Sequence, residues 1–311
     1  MLPVPYHHVC KFHRFSSLSP LMNKVVITGS SGRMGRALYW QLAPDHHVTG
    51  IDLSASSSTN LIMDIRDEDS LRRVFEGADT IFHAAALHAP HVGLYPDKAF
   101  YEINVNATEK ICQAAMACGV SKLVFTSTTA LYGYANQEDG KAAWINEQTV
   151  PKPRTIYHQT KWAAEQVVKD HSGERLSVSV IRMSRCFPEP ANVMAVYRLH
   201  RGIDYRDVAM AHVLAGQLQE KDFDVYVVSG TTPFLKSDRI RMYEDPETVI
   251  RERYPPLAHE FDRRNWKFPK TIDRVYDASY AQKALGWQPK KGPLDVCRQF
   301  DDQDFEVLPP S

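Results

Sequence analysis

The sequence of 311 residues has no excess of either charge, because 37 basic residues balance 37 acidic ones. This balance excludes a global electrostatic field that would recruit nucleic acid or an anionic membrane surface. It also has no apolar run near the roughly 20 residues needed to cross a bilayer. We therefore expect a soluble protein that binds neither nucleic acid nor membrane, with enough chain to bury one large core or two coupled ones.

Cysteine is scarce and follows no pattern. The number of cysteines is odd, and their spacing fits neither a disulfide framework nor a metal site. We expect reduced thiols, no bound metal and a cytoplasmic location. The five cysteines are Cys10, Cys112, Cys118, Cys186 and Cys297.

Acidic residues are absent from the first 24 positions, where Lys11, Arg14 and three histidines occur. Three interpretations of residues 1–22 stay open. We favour a disordered leader with Met22 as the true start. A mitochondrial transit peptide has the same basic, serine-containing and acid-free composition and would place the protein in the mitochondrion. The third interpretation is an ordered extension.

Short β-branched runs alternate with amphipathic segments as far as Ile181, which predicts parallel strands joined by right-handed crossovers. The fold class is therefore α/β, with a doubly wound parallel sheet and a small C-terminal lid. We assign residues 23–184 and 204–230 to the sheet domain, and 185–203 and 231–311 to a substrate-binding region. Strands are predicted over 24–28, 48–52, 60–64, 79–84, 122–126, 177–181 and 224–228, and helices over 34–42, 67–75, 98–118, 157–169 and 203–218.

A glycine loop separates the first predicted strand from the first helix. Gly29, Gly32 and Gly35 permit a tight turn and a close approach of backbone to a pyrophosphate at the helix N-terminus, although an ordinary turn has the same spacing. Asp52 ends the next strand, where a carboxylate accepts hydrogen bonds from an adenosine ribose and repels a 2′-phosphate. This favours NAD, while the cation Arg33 keeps NADP open as the alternative.

Residues at two further strand ends complete the predicted cofactor site. Asp64 and Ile65 follow the third strand and either flank the adenine or, for Asp64, cap the next helix. Three alanines end the fourth strand and allow close approach of the cofactor, and we interpret His83 before them as a packed, hydrogen-bonded histidine. The predicted contacts are Gly29, Ser31, Gly32, Arg33, Met34, Gly35, Asp52, Asp64, Ile65, Ala84, Ala85 and Ala86.

Tyr157 and Lys161 lie four residues apart, which puts their Cβ atoms about 5–6 Å apart on one helix face. An ammonium at that distance stabilises a phenolate and lowers the tyrosine pKa, so Tyr157 can take a proton from a substrate hydroxyl as hydride leaves the same carbon. Lys161 can also hydrogen-bond a nicotinamide ribose, and we expect both residues to contact the cofactor. The hydroxyl partner is expected within residues 126–129, at the end of the fifth strand.

The ordered set of motifs resembles the extended short-chain dehydrogenases/reductases, in the NAD-dependent epimerase/dehydratase branch. The resemblance covers about residues 23–295 and implies a Rossmann-type fold and bound NAD. It also implies that Thr128 is the catalytic hydroxyl, that Asn104 lies near the active site as a further catalytic residue, and that Thr129 and Arg182 meet the substrate. Arg185 is a further candidate for contact with the substrate. The motifs are the glycine loop, Asp52, 64–65, 83–86, 104–108, 124–133, Tyr157 with Lys161, Arg182, 203–209 and 284–289.

Departures from the family pattern narrow the chemistry. Family dehydratases carry an Asp-Glu pair after the catalytic hydroxyl residue, but Thr129-Ala130 follow Thr128 here. Arg185 replaces the Asn that normally meets the sugar nucleotide, and it can grip a diphosphate or carboxylate or form an ordinary ion pair. One or two of six arginines in the lid are further phosphate-binding candidates among surface charges. These are Arg239, Arg241, Arg251, Arg253, Arg263 and Arg264.

The resemblance implies hydride transfer between nicotinamide and a sugar carbinol carbon. We expect an epimerase acting on a nucleotide sugar. A dehydrogenase of a sugar or sugar acid is the alternative, since residues 182–192 resemble uronate dehydrogenases. A non-catalytic dinucleotide-binding redox sensor or scaffold is the second alternative, disfavoured by the joint presence of Tyr157, Lys161 and Thr128. A homodimer through the long helix and the Tyr-Lys helix is compatible with the family.

Overall fold

A sheet of seven parallel strands organises the protein, whose computed structural model describes residues 22–218 and 221–311. The strands are β1 (Lys24–Thr28), β2 (His47–Asp52), β3 (Leu61–Ile62), β4 (Thr80–His83), β5 (Lys122–Thr128), β7 (Ser177–Met183) and β8 (Phe223–Val228). Their spatial order β3-β2-β1-β4-β5-β7-β8 is that of a doubly wound α/β fold, which confirms the predicted fold class. The strand predicted over residues 224–228 returns to the sheet, as expected.

Alternating strand residues supply two hydrophobic cores, one on each face of the sheet. The helices over these cores are α1 (Arg33–Leu42), α2 (Glu68–Phe75), α4 (Ala107–Ala117), α5 (Ile156–Asp170) and α7 (Tyr205–Gln217). Val25 and Ile27 point into the core beneath α1 and α7, whereas Val26 between them points into the core beneath α2, α4 and α5. Each face is therefore covered by helices, as a parallel sheet requires.

The long helix predicted over 98–118 is interrupted. α3 (Asp97–Tyr101) leads into a π-helical turn over Glu102–Asn106, and α4 then continues to Ala117. Gly119 follows with φ +71°, as expected of a C-terminal cap. Widened turns of this kind often occur at functional sites, and this one carries Asn104.

A separate core forms the lid. It packs apolar residues of α6 (Ala191–His200), α8 (Arg239–Glu244), α9 (Pro246–Arg253), α10 (Pro255–Arg264) and α12 (Pro293–Asp301). Two short strands, β6 (Ala143–Ile145) and β9 (Arg274–Tyr276), pair in parallel beside it and were not predicted.

The predicted division into domains differs from the structure in one part of the C-terminal region. α11 (Ser279–Leu285) and Trp287 belong to the core beneath α7, not to the lid, and the Trp287 indole donates to the Asp207 carbonyl at 3.1 Å. Residues 1–21 of the predicted leader lie outside the described residues. Met22 is buried in the same core beneath α7. Among the described helices, none combines the length and apolarity required to cross a membrane.

Candidate active site

A cavity of about 840 Å³ opens along the carboxyl ends of the parallel strands. This edge is where open α/β sheets bind ligands. The cavity runs from Asp52 at the end of β2, past Thr128 at the end of β5, to Asp273 beside the lid. Every predicted site residue lines it except Asn104 and Arg182.

The glycine loop is shaped by close backbone contacts. Gly29 has φ +72°, and a Cβ at that position would lie 2.6 Å from the Ala85 nitrogen. A Cβ on Gly35 would lie 2.1 Å from the Gly29 carbonyl oxygen, so neither position accepts a larger residue. α1 begins at Arg33 without a side-chain cap, which leaves the N–H groups of its first turn open to an anion. The loop therefore fits a pyrophosphate.

Asp52 is fixed at the wall of the cavity by two backbone donors. Its Oδ2 accepts from the Ser31 N–H at 3.0 Å, and its Oδ1 accepts from the Ser54 N–H at 2.9 Å. The carboxylate is thereby held beside the glycine loop, where it can still accept from ribose hydroxyls through its remaining lone pairs.

The side chain of Arg33 is engaged by the C-terminal segment. Its guanidinium pairs with Glu306 and lies 4.5 Å from the centre of the Tyr205 ring. Glu306 offsets the charge of Arg33 and holds its side chain, so Arg33 is restrained from binding the 2′-phosphate of NADP. This arrangement favours NAD.

Releasing Arg33 should therefore change the nucleotide preference. We expect Glu306→Gln to raise the affinity for NADP about tenfold, or about 1.4 kcal/mol, with little change for NAD, because Arg33 becomes available to a 2′-phosphate. Calorimetric titration with both nucleotides measures this. Glu189→Gln, which frees Arg185 instead, should leave both affinities unchanged. An unaltered ratio of NADP affinity to NAD affinity in Glu306→Gln would show that Glu306 does not restrain Arg33.

Asp64 and Ile65 form the wall beyond Asp52. The Asp64 carboxylate accepts hydrogen bonds from the Arg66 guanidinium, the shortest from Nη2 at 2.6 Å, and these lower its pKa. The alternative that Asp64 caps the next helix is wrong, because Asp67 caps α2 by accepting from the Ser70 N–H. Ile65 is buried and presents an apolar surface.

The predicted packed role of His83 is confirmed. Its Nδ1 lies 2.7 Å from the Thr28 hydroxyl and its Nε2 lies 2.9 Å from the Thr108 hydroxyl. Burial lowers the pKa of His83 to about 3, so the ring is neutral. The small residues 84–86 that follow it line the cavity.

Thr128 and Tyr157 meet in the middle of the cavity. Tyr157 lies in the first turn of α5, and its side chain and that of Thr128 both line the cavity. Burial raises the pKa of Tyr157 to about 12, and the nearby Thr128 side chain opposes this rise only in part. The prediction that the protein lowers this pKa through Lys161 is therefore wrong for the protein by itself, since desolvation outweighs its polar contacts.

Lys161 follows Tyr157 by four residues in α5 and is buried, with Nζ 4.0 Å from the centre of the Phe125 ring. Burial lowers the pKa of Lys161 to about 7, opposed by the charge of Glu165. The Glu165 carboxylate is itself occupied by Arg182 and the Ser127 hydroxyl. The ammonium is thus poorly compensated and can lose its proton near neutral pH.

The buried ammonium should make stability depend on pH. The pKa of Lys161 in the folded protein lies below its ordinary value of 10.5, so its protonation opposes folding below about pH 7, and this cost fades as pH rises towards 10.5. We expect Lys161→Met to be more stable than the wild type at pH 6 by at least about 1 kcal/mol. The difference in stability between Lys161→Met and the wild type should be smaller at pH 10. Thermal unfolding at both pH values tests this, and a less stable variant at pH 6 would show that the ammonium is well compensated.

Asn104 lies behind the cavity wall. Its side chain accepts from the Leu87 N–H at 2.8 Å and donates to the Leu87 carbonyl at 2.8 Å and to the Thr160 hydroxyl at 3.1 Å. It thereby ties the loop after β4 to α5, which carries Tyr157. The predicted catalytic role is corrected to that of a positioning residue.

The prediction that Arg182 meets the substrate is also corrected. Its guanidinium binds the Glu165 carboxylate, with Nη2–Oε2 at 2.6 Å, and donates from Nη1 to the Tyr132 hydroxyl at 2.9 Å. Both charged side chains are almost fully buried. Arg182 therefore faces the interior between β7 and α5 and holds α5 to the sheet, without reaching the cavity where a substrate would bind.

Thr129 and Arg185 line the part of the cavity beyond Thr128, towards the lid, which we call the substrate half. Their contact with the substrate stays a prediction. The Thr129 carbonyl accepts from the Tyr276 hydroxyl at 3.4 Å, and Arg185 pairs with Glu189 while remaining largely exposed. The six lid arginines considered for phosphate binding all pair with carboxylates, and none lines the cavity.

Three other arginines line the substrate half, and the sequence did not single them out. Arg154, Arg201 and Arg274 lie far apart in the chain and belong to no local motif. A partial signal existed for Arg154, which lies three residues before Tyr157. Arg274 reaches the site only because β9 pairs with β6.

Comparison with known proteins agrees with this geometry. L-arabinose 1-dehydrogenase (NAD(P)(+)) of Haloferax volcanii is 29% identical over 52% of this chain, and the alignment spans 66% of the relative. UDP-glucose 4-epimerase of Streptomyces lividans is 24% identical over 89% of this chain and 94% of its own length. For several other relatives the alignment spans only about half of their length.

The fold is shared with a solved structure, MoeE5 in complex with UDP-glucose and NAD. Its TM-score is 0.66 at 19% identity, with 90% of this chain and 98% of that chain covered. The model of the NAD dependent epimerase/dehydratase family matches residues 25–195, which include the glycine loop, Thr128, Tyr157 and Lys161. The chain therefore belongs to the NAD dependent epimerase/dehydratase family.

Proposed function

We propose that this protein binds NAD and transfers a hydride between the nicotinamide and a carbinol carbon of a sugar. One observation carries the proposal. Thr128, Tyr157 and the buried Lys161 line the same cavity whose far end is formed by the glycine loop and Asp52. This pairing of a proton-transferring group with a dinucleotide site is what hydride transfer to or from an alcohol requires.

The chain has residues for each part of NAD. The glycine loop and the open N–H groups of α1 suit the pyrophosphate, and the fixed carboxylate of Asp52 suits the adenosine ribose. Residues 84–86 leave room for close approach, and Lys161 can donate to the nicotinamide ribose. When bound, NAD supplies the acceptor or donor of the hydride.

The chain itself must handle the proton. Tyr157 takes the carbinol proton onto its phenol oxygen as the carbon is oxidised, and returns it when the carbonyl is reduced. Thr128, which lines the cavity together with Tyr157, orients the reacting oxygen. Because burial alone gives Tyr157 a high pKa, a positive charge brought close to it must lower that pKa before it can act as a base at neutral pH. Lys161 has a pKa of about 7 and is therefore only partly charged at that pH, so the positive charge of the oxidised nicotinamide would have to contribute when NAD is bound.

Within this chemistry we favour an epimerase acting on a nucleotide sugar, supported by the similarity to UDP-glucose 4-epimerase over most of the chain. The alternative is a dehydrogenase of a sugar or sugar acid, supported by the similarity to L-arabinose 1-dehydrogenase. Oxidised sugar that leaves gives net dehydrogenation, whereas oxidised sugar that is reduced on its other face gives epimerisation. A cytoplasmic location and a homodimer through α4 and α5 remain predictions.

A substrate screen separates these candidates. NAD-supplied protein is mixed with UDP-sugars, uronic acids and neutral sugars, and both the absorbance of reduced nicotinamide and the sugar products are followed. Lasting reduction identifies a dehydrogenase, and an inverted sugar without lasting reduction identifies an epimerase. If NAD binds but no sugar reacts in either way, the redox sensor or scaffold is favoured and the proposed chemistry fails.

A further inference from the structure

The substrate half of the cavity is rich in positive charge. Among the residues that the structure describes, four arginines line it, and Asp273 is the one carboxylate that lines the cavity beyond the cofactor half. The whole chain is neutral, so this excess is local to the site. The four arginines are Arg154, Arg185, Arg201 and Arg274.

Gly133 brings two of these arginines together. Arg274 donates from Nη1 to the Gly133 carbonyl at 3.1 Å, and a Cβ on Gly133 would lie 3.1 Å from Cγ of Arg154. Gly133 has φ +50°, and that Cβ would also lie 2.0 Å from the Lys152 carbonyl, so glycine is required here. Both arginines are thus held at the loop that follows Thr128.

Asp273 links a third arginine, Arg201, to Arg274. Its Oδ2 accepts from Arg274 Nε at 3.0 Å, and its Oδ1 accepts from Arg201 Nη1 at 2.8 Å. One carboxylate therefore orients two guanidinium groups and neutralises only one of them. A guanidinium has five N–H donors, so both arginines keep donors beyond those that Asp273 and Gly133 occupy.

Arg154 has no carboxylate partner among the described residues, and its guanidinium lies 4.7 Å from the centre of the Tyr134 ring. It is exposed and lies three residues before Tyr157 on the approach to α5. We refer to Arg154, Arg201 and Arg274 as the arginine cluster. It combines a surplus of charge with planar donors beside the proposed reaction centre.

We propose that the arginine cluster binds an anionic oxygen group carried by the sugar substrate and so determines specificity. A carboxylate and a phosphate both match the paired donors of a guanidinium, and the diphosphate of a nucleotide sugar offers the same chemistry. A neutral sugar would leave the surplus charge unused. The identity of the reacting sugar rests on the proposed function, but binding of the anion does not require turnover.

Binding is measured by calorimetry on the Tyr157→Phe protein saturated with NAD, so that no reaction interferes. The probes are glucuronate, glucose 6-phosphate, UDP-glucose and neutral glucose. At least one anionic probe is expected to bind about tenfold or more tightly than glucose. The anion that binds most tightly identifies the source as a sugar carboxylate, a sugar phosphate or a diphosphate. No preference over glucose for any of them would overturn the proposal.

Two variants test whether the arginine cluster is responsible. Arg154→Gln and Arg201→Gln should each weaken binding of the best anionic probe about tenfold or more, while the affinity for NAD stays unchanged. Arg241→Gln, in an exposed ion pair of the lid, is the matched control and should have no effect. Arg154 is exposed, so its variant should fold normally, and equal affinity in it and the wild type would contradict the role of the arginine cluster. Anion binding that depends on the arginine cluster in a protein that turns over no sugar would overturn the proposed function alone.

Discussion

Replacing Tyr157 by Phe is expected to lower turnover about 10²–10⁴-fold, the usual contribution of a positioned acid or base. The variant loses the phenol oxygen that meets Thr128 and can carry the carbinol proton, while the ring remains to fill the same space. Binding of NAD should therefore change little. Steady-state rates with the best substrate of the screen, together with calorimetric titration of NAD, measure the two effects separately.

The matched control is Tyr243→Phe, because Tyr243 is exposed on α8 and does not line the cavity. That variant should keep wild-type turnover. Unchanged turnover in Tyr157→Phe would show that another group moves the proton. Loss of NAD binding together with turnover would mean that Tyr157 acts mainly in holding the cofactor.

Replacing Arg182 by Ala is expected to lower the free energy of unfolding by about 3–5 kcal/mol, the cost of removing one partner from a buried ion pair. The Glu165 carboxylate would remain buried between α5 and β7 with only the Ser127 hydroxyl as a partner. The Tyr132 hydroxyl would lose its donor as well. Denaturant unfolding followed by circular dichroism measures the change.

Arg241→Ala provides the comparison, because its pair with Glu252 is exposed on both sides. Exposed ion pairs contribute about 0–1 kcal/mol, so this variant should be close to the wild type. A loss in Arg182→Ala no larger than in Arg241→Ala would contradict the structural role assigned to Arg182. It would reopen the prediction that Arg182 meets the substrate.

Features set by short stretches of chain could be predicted from the sequence. The glycine loop, the acid that ends β2 and the Tyr157–Lys161 spacing each depend on local geometry and on the regular βα alternation. Thirteen of the predicted contact residues belong to such local motifs, so the strand order alone is enough to bring them together at one edge of the sheet. They are Gly29, Ser31, Gly32, Met34, Gly35, Asp52, Ile65, Ala84, Ala85, Ala86, Thr128, Tyr157 and Lys161.

Features that depend on burial and on distant partners could not be predicted. The pKa of Tyr157 rises because the site is desolvated, which the four-residue spacing to Lys161 does not reveal. Arg182 faces inward because Glu165 on the neighbouring helix provides its carboxylate. Arg274 enters the site through the pairing of β9 with β6, two short strands separated by more than a hundred residues.

Identification of the nucleotide bound to the purified protein tests the central claim most directly. The protein is denatured, and any released nucleotide is identified and quantified. We predict NAD, either as about one equivalent retained by an epimerase or, from an empty site, as reversible binding that is tighter than that of NADP. Release of NADP, tighter binding of NADP, or no binding of either nucleotide would contradict the assignment of Asp52 and the glycine loop to NAD.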